Sequence, residues 1–229
     1  MKQTSTTLVD DFIAPPCYEK IQTVYEDDNI LVIEKPSGLL SLSGKNPVNK
    51  DSVYERVLKD YPTATMVHRL DFGTSGLMLV ALNKRVNAHL TKQFQRRLVK
   101  KEYHATLLGH LDHDEGVIDV PLTRAEFPYQ KVCFETGKSS QSHYQVLERQ
   151  IDSNNIKTTN VLFTPLTGRT HQLRVHSREL GHPIIGCDLY GLIVDGVDSE
   201  QLAPRLMLHA SSLDFEHPIT GQRLRFASN

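Results

Sequence analysis

The chain has 229 residues, 39% of them apolar and 23% charged, enough for one large domain or two small ones of ordinary globular composition. Its net charge of −1 excludes nucleic-acid capture by bulk charge, so any RNA footprint must come from local basic patches. No apolar run reaches membrane-spanning length, residues 1 to 20 lack the apolar centre of a signal peptide, and Cys17, Cys133 and Cys187 stand far apart with no Cys-x-x-Cys, so reduced thiols and a cytoplasmic location are expected.

Taken in order, residues 1 to 20 are polar and reach Ala14-Pro15-Pro16, which predicts a flexible tail or strap ahead of a single domain over 21 to 229. Ile30 to Ile33 reads as a short strand running into the turn Lys35-Pro36-Ser37-Gly38. Residues 51 to 60 read as a helix, with Asp51 or Ser52 as N-cap, Val53, Val57 and Leu58 on one face, and Pro62 as the stop. From 77 to 82 both phases of the alternation are apolar, which predicts a strand buried on both faces. A polar turn with Asp71, between Arg69 and Gly73-Thr74-Ser75-Gly76, precedes that strand. An ionisable group fixed at the mouth of a buried strand suits catalysis, although it also suits plain turn stabilisation.

Beyond the strand, Val86, Leu90, Phe94 and Leu98 recur every fourth residue and predict an amphipathic helix over 84 to 98. Lys84, Arg85, Lys92, Arg96, Arg97, Lys100 and Lys101 supply seven cations with no intervening acid, more like a phosphate-contacting surface than a solvated face. Strands are expected at 102 to 108, 116 to 120, 141 to 147, 159 to 163 and 207 to 213, with an irregular insertion at 124 to 139. A helix from 170 to 180 ends at Gly181, and residues 213 to 226 form a hairpin. Strands outnumber helices without regular alternation. The fold class is therefore α+β, a mostly antiparallel or mixed sheet with flanking helices.

Several of these segments belong together in one known pattern. His68-Arg69-Leu70-Asp71-x-x-Thr74-Ser75-Gly76-Leu77 resembles the defining stretch of the RluA-type pseudouridine synthases. The resemblance extends to Lys35-Pro36-Ser37-Gly38, Lys101-x-Tyr103 and Gly168-Arg169-Thr170-His171-Gln172-Leu173-Arg174-Val175-His176, and spans roughly residues 21 to 225. It implies a long bent sheet with a cleft along it and a catalytic domain without the small S4-type RNA-binding domain that some members carry. It implies isomerisation of uridine to pseudouridine in stem-loops of structured RNA, the tRNA anticodon loop and 23S ribosomal RNA. The product is an isomer, so no cofactor or metal is required, and a monomer is expected.

By the same resemblance Asp71 is the catalytic aspartate, attacking either the uracil ring or the ribose carbon. Arg174 is the cation paired with it, and helical spacing puts Arg174 on one side with Thr170 and Ser177. Tyr103 is the platform on which the flipped base stacks. Arg69 fills the place of the extracted nucleotide or holds a phosphate. His68, Arg169 and the basic run complete the expected RNA surface, and Lys35-Pro36 buttresses the site, or is no more than a strand-ending turn. His68, His171 and His176 form no His-x-x-x-His pair, and the Asp112 to Glu115 cluster reads as a solvated turn, so no metal site is expected. The rivals are a pseudouridine synthase with a different RNA target, since members share these motifs while differing in target; a non-catalytic RNA-binding module, which has no use for the full catalytic set; and a metal-dependent nuclease or deaminase, which lacks its ligands.

Overall fold

Residues 75 to 81 are buried without exception, and the fold is assembled around them. A computed structural model describes residues 12 to 228. In chain order the first half holds β1 (Gln22–Glu26), β2 (Ile30–Lys35), α1 (Val53–Leu58), β3 (Thr65–Met66), β4 (Ser75–Ala81), α2 (Lys84–Gln95), β5 (Lys100–Leu108) and β6 (Glu115–Asp119). The second half holds β7 (Leu122–Arg124), β8 (Gln130–Val132), β9 (Gln141–Ile151), β10 (Lys157–Pro165), α3 (Gln172–Glu179), β11 (Ile193–Val194), β12 (Val197–Asp198), β13 (Leu208–Glu216) and β14 (Arg223–Ala227).

One ten-stranded sheet runs β1-β2-β4-β13-β5-β10-β9-β6, with β3 and β14 attached to β4 and β13. Its pairings are antiparallel except β13 with β4, so the α+β, mixed-sheet expectation holds. The doubly apolar reading of β4 also holds. Met78 and Val80 pack with Val53 and Val57 of α1, while Leu77 and Leu79 pack with Val86 and Leu90 of α2. A third cluster lies under α3 around Leu173, Val175, Phe163 and Tyr190, and Tyr103 packs against both this cluster and the one under α1.

Gly76 is obligatory where the polar turn enters β4. Its φ is +108°, and a Cβ there would lie 2.3 Å from the Ala210 carbonyl oxygen of the parallel neighbour β13. Ser52 caps α1 by accepting from the Glu55 amide, and Asn83 caps α2 by accepting from the Val86 amide, each worth about 1 kcal/mol.

Three expectations need correction. Helix α2 stops at Gln95 because Arg97 takes a left-handed φ of 59°, so Leu98 turns outward and Val99 fills the core in its place. Residues 124 to 139 are not wholly irregular, since β7 and β8 pair as a small hairpin there. Helix α3 begins two residues later than expected, so Thr170 lies outside it and is exposed. Residues 1 to 11 of the expected tail lie outside the described residues. Residues 12 to 20 are strapped down by Asn49, which bonds the Ala14 amide and the Phe12 carbonyl, and by Arg56, which donates to the Cys17 and Glu19 carbonyls.

Candidate active site

The turn carrying Asp71 is held from below by segments more than 25 residues away in sequence. Ser41 Oγ donates to the Leu70 carbonyl at 2.7 Å and accepts the Leu70 amide at 3.1 Å. Lys35 Nζ donates to the Phe72 carbonyl at 3.1 Å, Ser37 Oγ to the Gly73 carbonyl at 2.7 Å, and the Gly38 amide to the Phe72 carbonyl at 3.0 Å. The Lys35 to Gly38 turn is thus also a buttress, with contacts on both residues that follow Asp71. Lys35 is fully buried, and burial pulls its pKa down to about 7 against the pull of Cys17 and Asp71.

Asp71 opens into a cleft of about 490 Å³, within the range of binding pockets. Its side chain is 19% exposed, and His171 Nε2 lies 4.0 Å from its Oδ1. Tyr103 lies on the floor of the cleft, supplied by β5. Burial raises its pKa, and the neighbouring Asp71 adds to that, so the phenol stays protonated. The Tyr103 hydroxyl has no hydrogen-bond partner among the described residues. It is free to meet a ligand.

Arg174 does not pair directly with Asp71, contrary to the expectation. Its guanidinium forms an ion pair with Asp188, meets Cys187 Sγ at 3.3 Å from Nε and sits 5.1 Å over the ring of Tyr190. Asp71 remains within its electrostatic reach. Burial opposes the charge on Arg174, but Cys187, Asp71 and Asp188 outweigh that cost and raise its pKa. The physical reason is the segment after α3, which places Asp188 and Tyr190 against a guanidinium that is only 4% exposed.

Helix α3 itself is polar in sequence yet buried from Gln172 to Ser177. Its polar groups are satisfied internally. Gln172 bonds the Gln141 carbonyl and Ser142 Oγ, and His176 lies 3.0 Å from Ser142 Oγ and 3.1 Å from Ser140 Oγ. Burial lowers the pKa of His176 to about 4, which makes it a neutral structural group.

The expected RNA surface divides into two parts. Arg69 is exposed at the cleft mouth, with Arg97 and Arg169 also on its lining. Lys101 is half-buried in the cleft wall, and its pKa is lowered by burial. It makes no ion pair among the described residues. Neither do Lys84, Arg85, Lys92, Arg96, Arg97 and Lys100, all exposed. Of the α2 run, only its C-terminal end borders the cleft; Lys84 and Arg85 sit about 15 Å further along the helix.

His68 lines the cleft and is anchored in the protein: its Nε2 accepts the Leu79 amide at 2.9 Å and its ring stacks on Phe94 at 4.8 Å, so it pins the turn to β4. Burial, and then Lys101, lower its pKa to about 3. Among the described residues, no cluster of three or more His, Cys, Asp or Glu is placed to hold a metal ion. Asp188 and Tyr190 carry no signal in the sequence, and His171 stands there only in the Gly168 to His176 motif and among histidines that form no metal-binding pair; the one local hint is the pair Gly186 and Gly191 that brackets Cys187 to Tyr190.

A cleft with one carboxylate, a buried guanidinium near it, an aromatic floor and cations on the rim can act on a base removed from its stack. Comparisons with known proteins agree with that chemistry. Residues 29 to 179 match the model of the family described as RNA pseudouridylate synthase. The chain is 48% identical over 206 residues to the dual-specificity RNA pseudouridine synthase RluA of Vibrio vulnificus, covering 89% of this chain and 81% of that protein. It is 45% identical over 214 residues to the Escherichia coli K12 protein of the same name, covering 93% and 94%. Among solved structures, human RNA pseudouridylate synthase domain containing 1 superimposes with a TM-score of 0.76 at 30% identity, covering 94% of this chain and 85% of that one.

Proposed function

The chain belongs to the family of RNA pseudouridylate synthases, and from that premise we propose that it isomerises uridines in stem-loops of tRNA and 23S ribosomal RNA, with Asp71 as its nucleophile. The observation that carries the assignment is the placement of Asp71 in the same cleft as Tyr103, with its turn braced on both sides. The glycosidic carbon–nitrogen bond breaks, the uracil turns, and a carbon–carbon bond to ribose forms. Asp71 supplies the carboxylate that adds to the substrate, and Arg174 places a fixed positive charge within electrostatic reach of it. Tyr103 lies under the uracil and offers its protonated hydroxyl at the ring. Arg69, at the mouth, takes the space that the flipped nucleotide leaves. Two RNA classes fit the dual-specificity naming of the relatives, and a folded loop shared by both can be read largely by its shape.

Incubation of the protein with tRNA and 23S stem-loop transcripts, followed by digestion to nucleosides, tests the substrate assignment. Pseudouridine is expected from at least one stem-loop of each class. Pseudouridine from neither, with both RNAs bound, would overturn it.

Tyr103→Phe and Tyr103→Ala separate stacking from the hydroxyl. Tyr103→Phe is expected to keep RNA affinity and to slow single-turnover isomerisation by about 10²-fold, the scale of a lost proton-transfer group. Tyr103→Ala is expected to lose about 1–3 kcal/mol of binding as well. Equal behaviour of the two variants would remove the platform role.

The rim cations are expected to differ in weight. Arg97→Ala and Lys101→Met should each weaken RNA binding and shallow the dependence of log affinity on log salt by about 0.7, one phosphate contact on a single strand. Lys84→Ala, at the far end of α2, should change the slope less. Filter binding across a salt series checks this, and equal slopes for all three variants would contradict the placement.

A further inference from the structure

Tyr190 is 1% exposed and lies outside the cleft lining, yet a single side chain, His171, stands between it and Asp71. His171 stands just before α3 in a left-handed conformation with φ 55°, and it does not cap the helix. Its Nδ1 is 2.7 Å from the Tyr190 hydroxyl, and its Nε2 is 4.0 Å from Asp71 Oδ1. The Tyr190 hydroxyl also receives the Gln130 amide of β8 at 2.9 Å.

The direction of these bonds follows from counting protons. The Gln130 N–H can only donate, so the Tyr190 oxygen accepts there. The hydroxyl proton then needs an acceptor, and His171 Nδ1 is the one within reach among the described residues. A buried hydroxyl proton left without a partner costs about 1–3 kcal/mol. Nδ1 is therefore the bare nitrogen of a neutral imidazole, and the ring proton sits on Nε2, the nitrogen that faces Asp71. The groups facing His171 are Asp71, Asp188, Tyr190, Arg69 and Arg174. Burial, joined by the two arginines, lowers its pKa against the pull of the two aspartates.

We infer that Tyr190 and the Gln130 amide lock the tautomer of His171, so that His171 Nε2–H is a positioning donor to Asp71 and the β7–β8 hairpin is coupled to the nucleophile. With a uridine in the cleft, His171 holds one Asp71 oxygen by hydrogen bond and leaves the other for attack. The 4.0 Å separation shortens to hydrogen-bond length when a uridine fills the cleft, as catalytic contacts commonly do on substrate binding. Positioning groups of this kind typically carry about 10- to 100-fold in activity when removed. This inference rests on the reading of Asp71 as nucleophile.

The test combines a spectroscopic and a kinetic readout on the full chain. With ¹⁵N-labelled histidine, the wild-type spectrum is expected to show His171 protonated on Nε2 and bare on Nδ1, and Tyr190→Phe is expected to show a tautomer mixture. Under single-turnover conditions Tyr190→Phe should be about 10-fold slow with RNA affinity within about twofold. His171→Gln, whose amide can still donate from the Nε2 position, should recover much of the rate that His171→Ala loses. A wild-type His171 protonated on Nδ1, or equal rates for the Gln and Ala variants, would overturn the inference, and both readouts stand even if Tyr190→Phe fails to fold. Failure of the Asp71 reading itself would appear differently, as isomerisation that survives Asp71→Asn.

Discussion

Asp71→Asn is expected to bind RNA as the wild type does and to isomerise none of it. The substitution keeps the volume and the turn, since the Thr74 amide bonds the backbone carbonyl of residue 71 rather than its side chain. The braces from Ser41, Ser37 and Lys35 fall on Leu70, Phe72 and Gly73 and are likewise untouched. What disappears is the carboxylate. An amide cannot add to the uracil ring or the ribose carbon, so a single-turnover rate at least about 10⁴-fold down is expected, more than 5 kcal/mol of barrier. RNA affinity should hold or rise slightly, because a negative charge has left an RNA-binding cleft. Filter binding beside a single-turnover time course checks both, and a variant with a tenth of wild-type turnover would contradict the nucleophile assignment.

Arg174→Ala is expected to lose about 10³-fold or more in turnover while retaining most of its RNA affinity. The guanidinium is 4% exposed and therefore has no direct surface for phosphate. Its weight falls on the site: it supplies positive potential to Asp71 and joins α3 to Asp188 and Tyr190. Breaking a buried pair costs about 3–5 kcal/mol of stability when the partner stays buried. Asp188 is 64% exposed and can be hydrated, so the stability loss should fall below that range. Arg174→Lys keeps a charge but not the planar fork that spans Cys187 and Asp188, and an intermediate rate is expected. Parallel loss of rate and affinity in Arg174→Ala would refute the assigned role.

The parts of the fold that could be read from the chain are those whose cause is local. Strand β4 announced itself by two apolar phases, and each phase meets a helix. Asp71 stands out in a tight polar turn ahead of that strand, but the resemblance to the synthase pattern is what marks it as catalytic and not a turn stabiliser; Gly76 is needed there by the approach of Ala210. The misses come from contacts distant in sequence. The polar residues of α3 look like a solvent face, yet their partners Ser140, Gln141 and Ser142 lie about 30 residues away and convert them into core. The Lys35 turn is a turn by composition, and only the folded chain shows it holding Phe72 and Gly73. Residues 182 to 207 carry no periodicity, with two-residue strands β11 and β12 as their regular structure, so the true partner of Arg174 had no signal. Leu98 fits the helical spacing, but the left-handed Arg97 ends α2 before that position.

The measurement that bears most directly on the whole account is tritium release from C5-labelled uridine in tRNA and 23S stem-loop transcripts. Carbon–carbon bond formation at C5 expels that hydrogen, whereas RNA binding alone leaves it in place. Release by the wild type, at RNA concentrations where both transcripts are bound, is the predicted result. No release from either transcript, with binding intact, would contradict the assignment of this cleft as the site of uridine isomerisation in those RNAs.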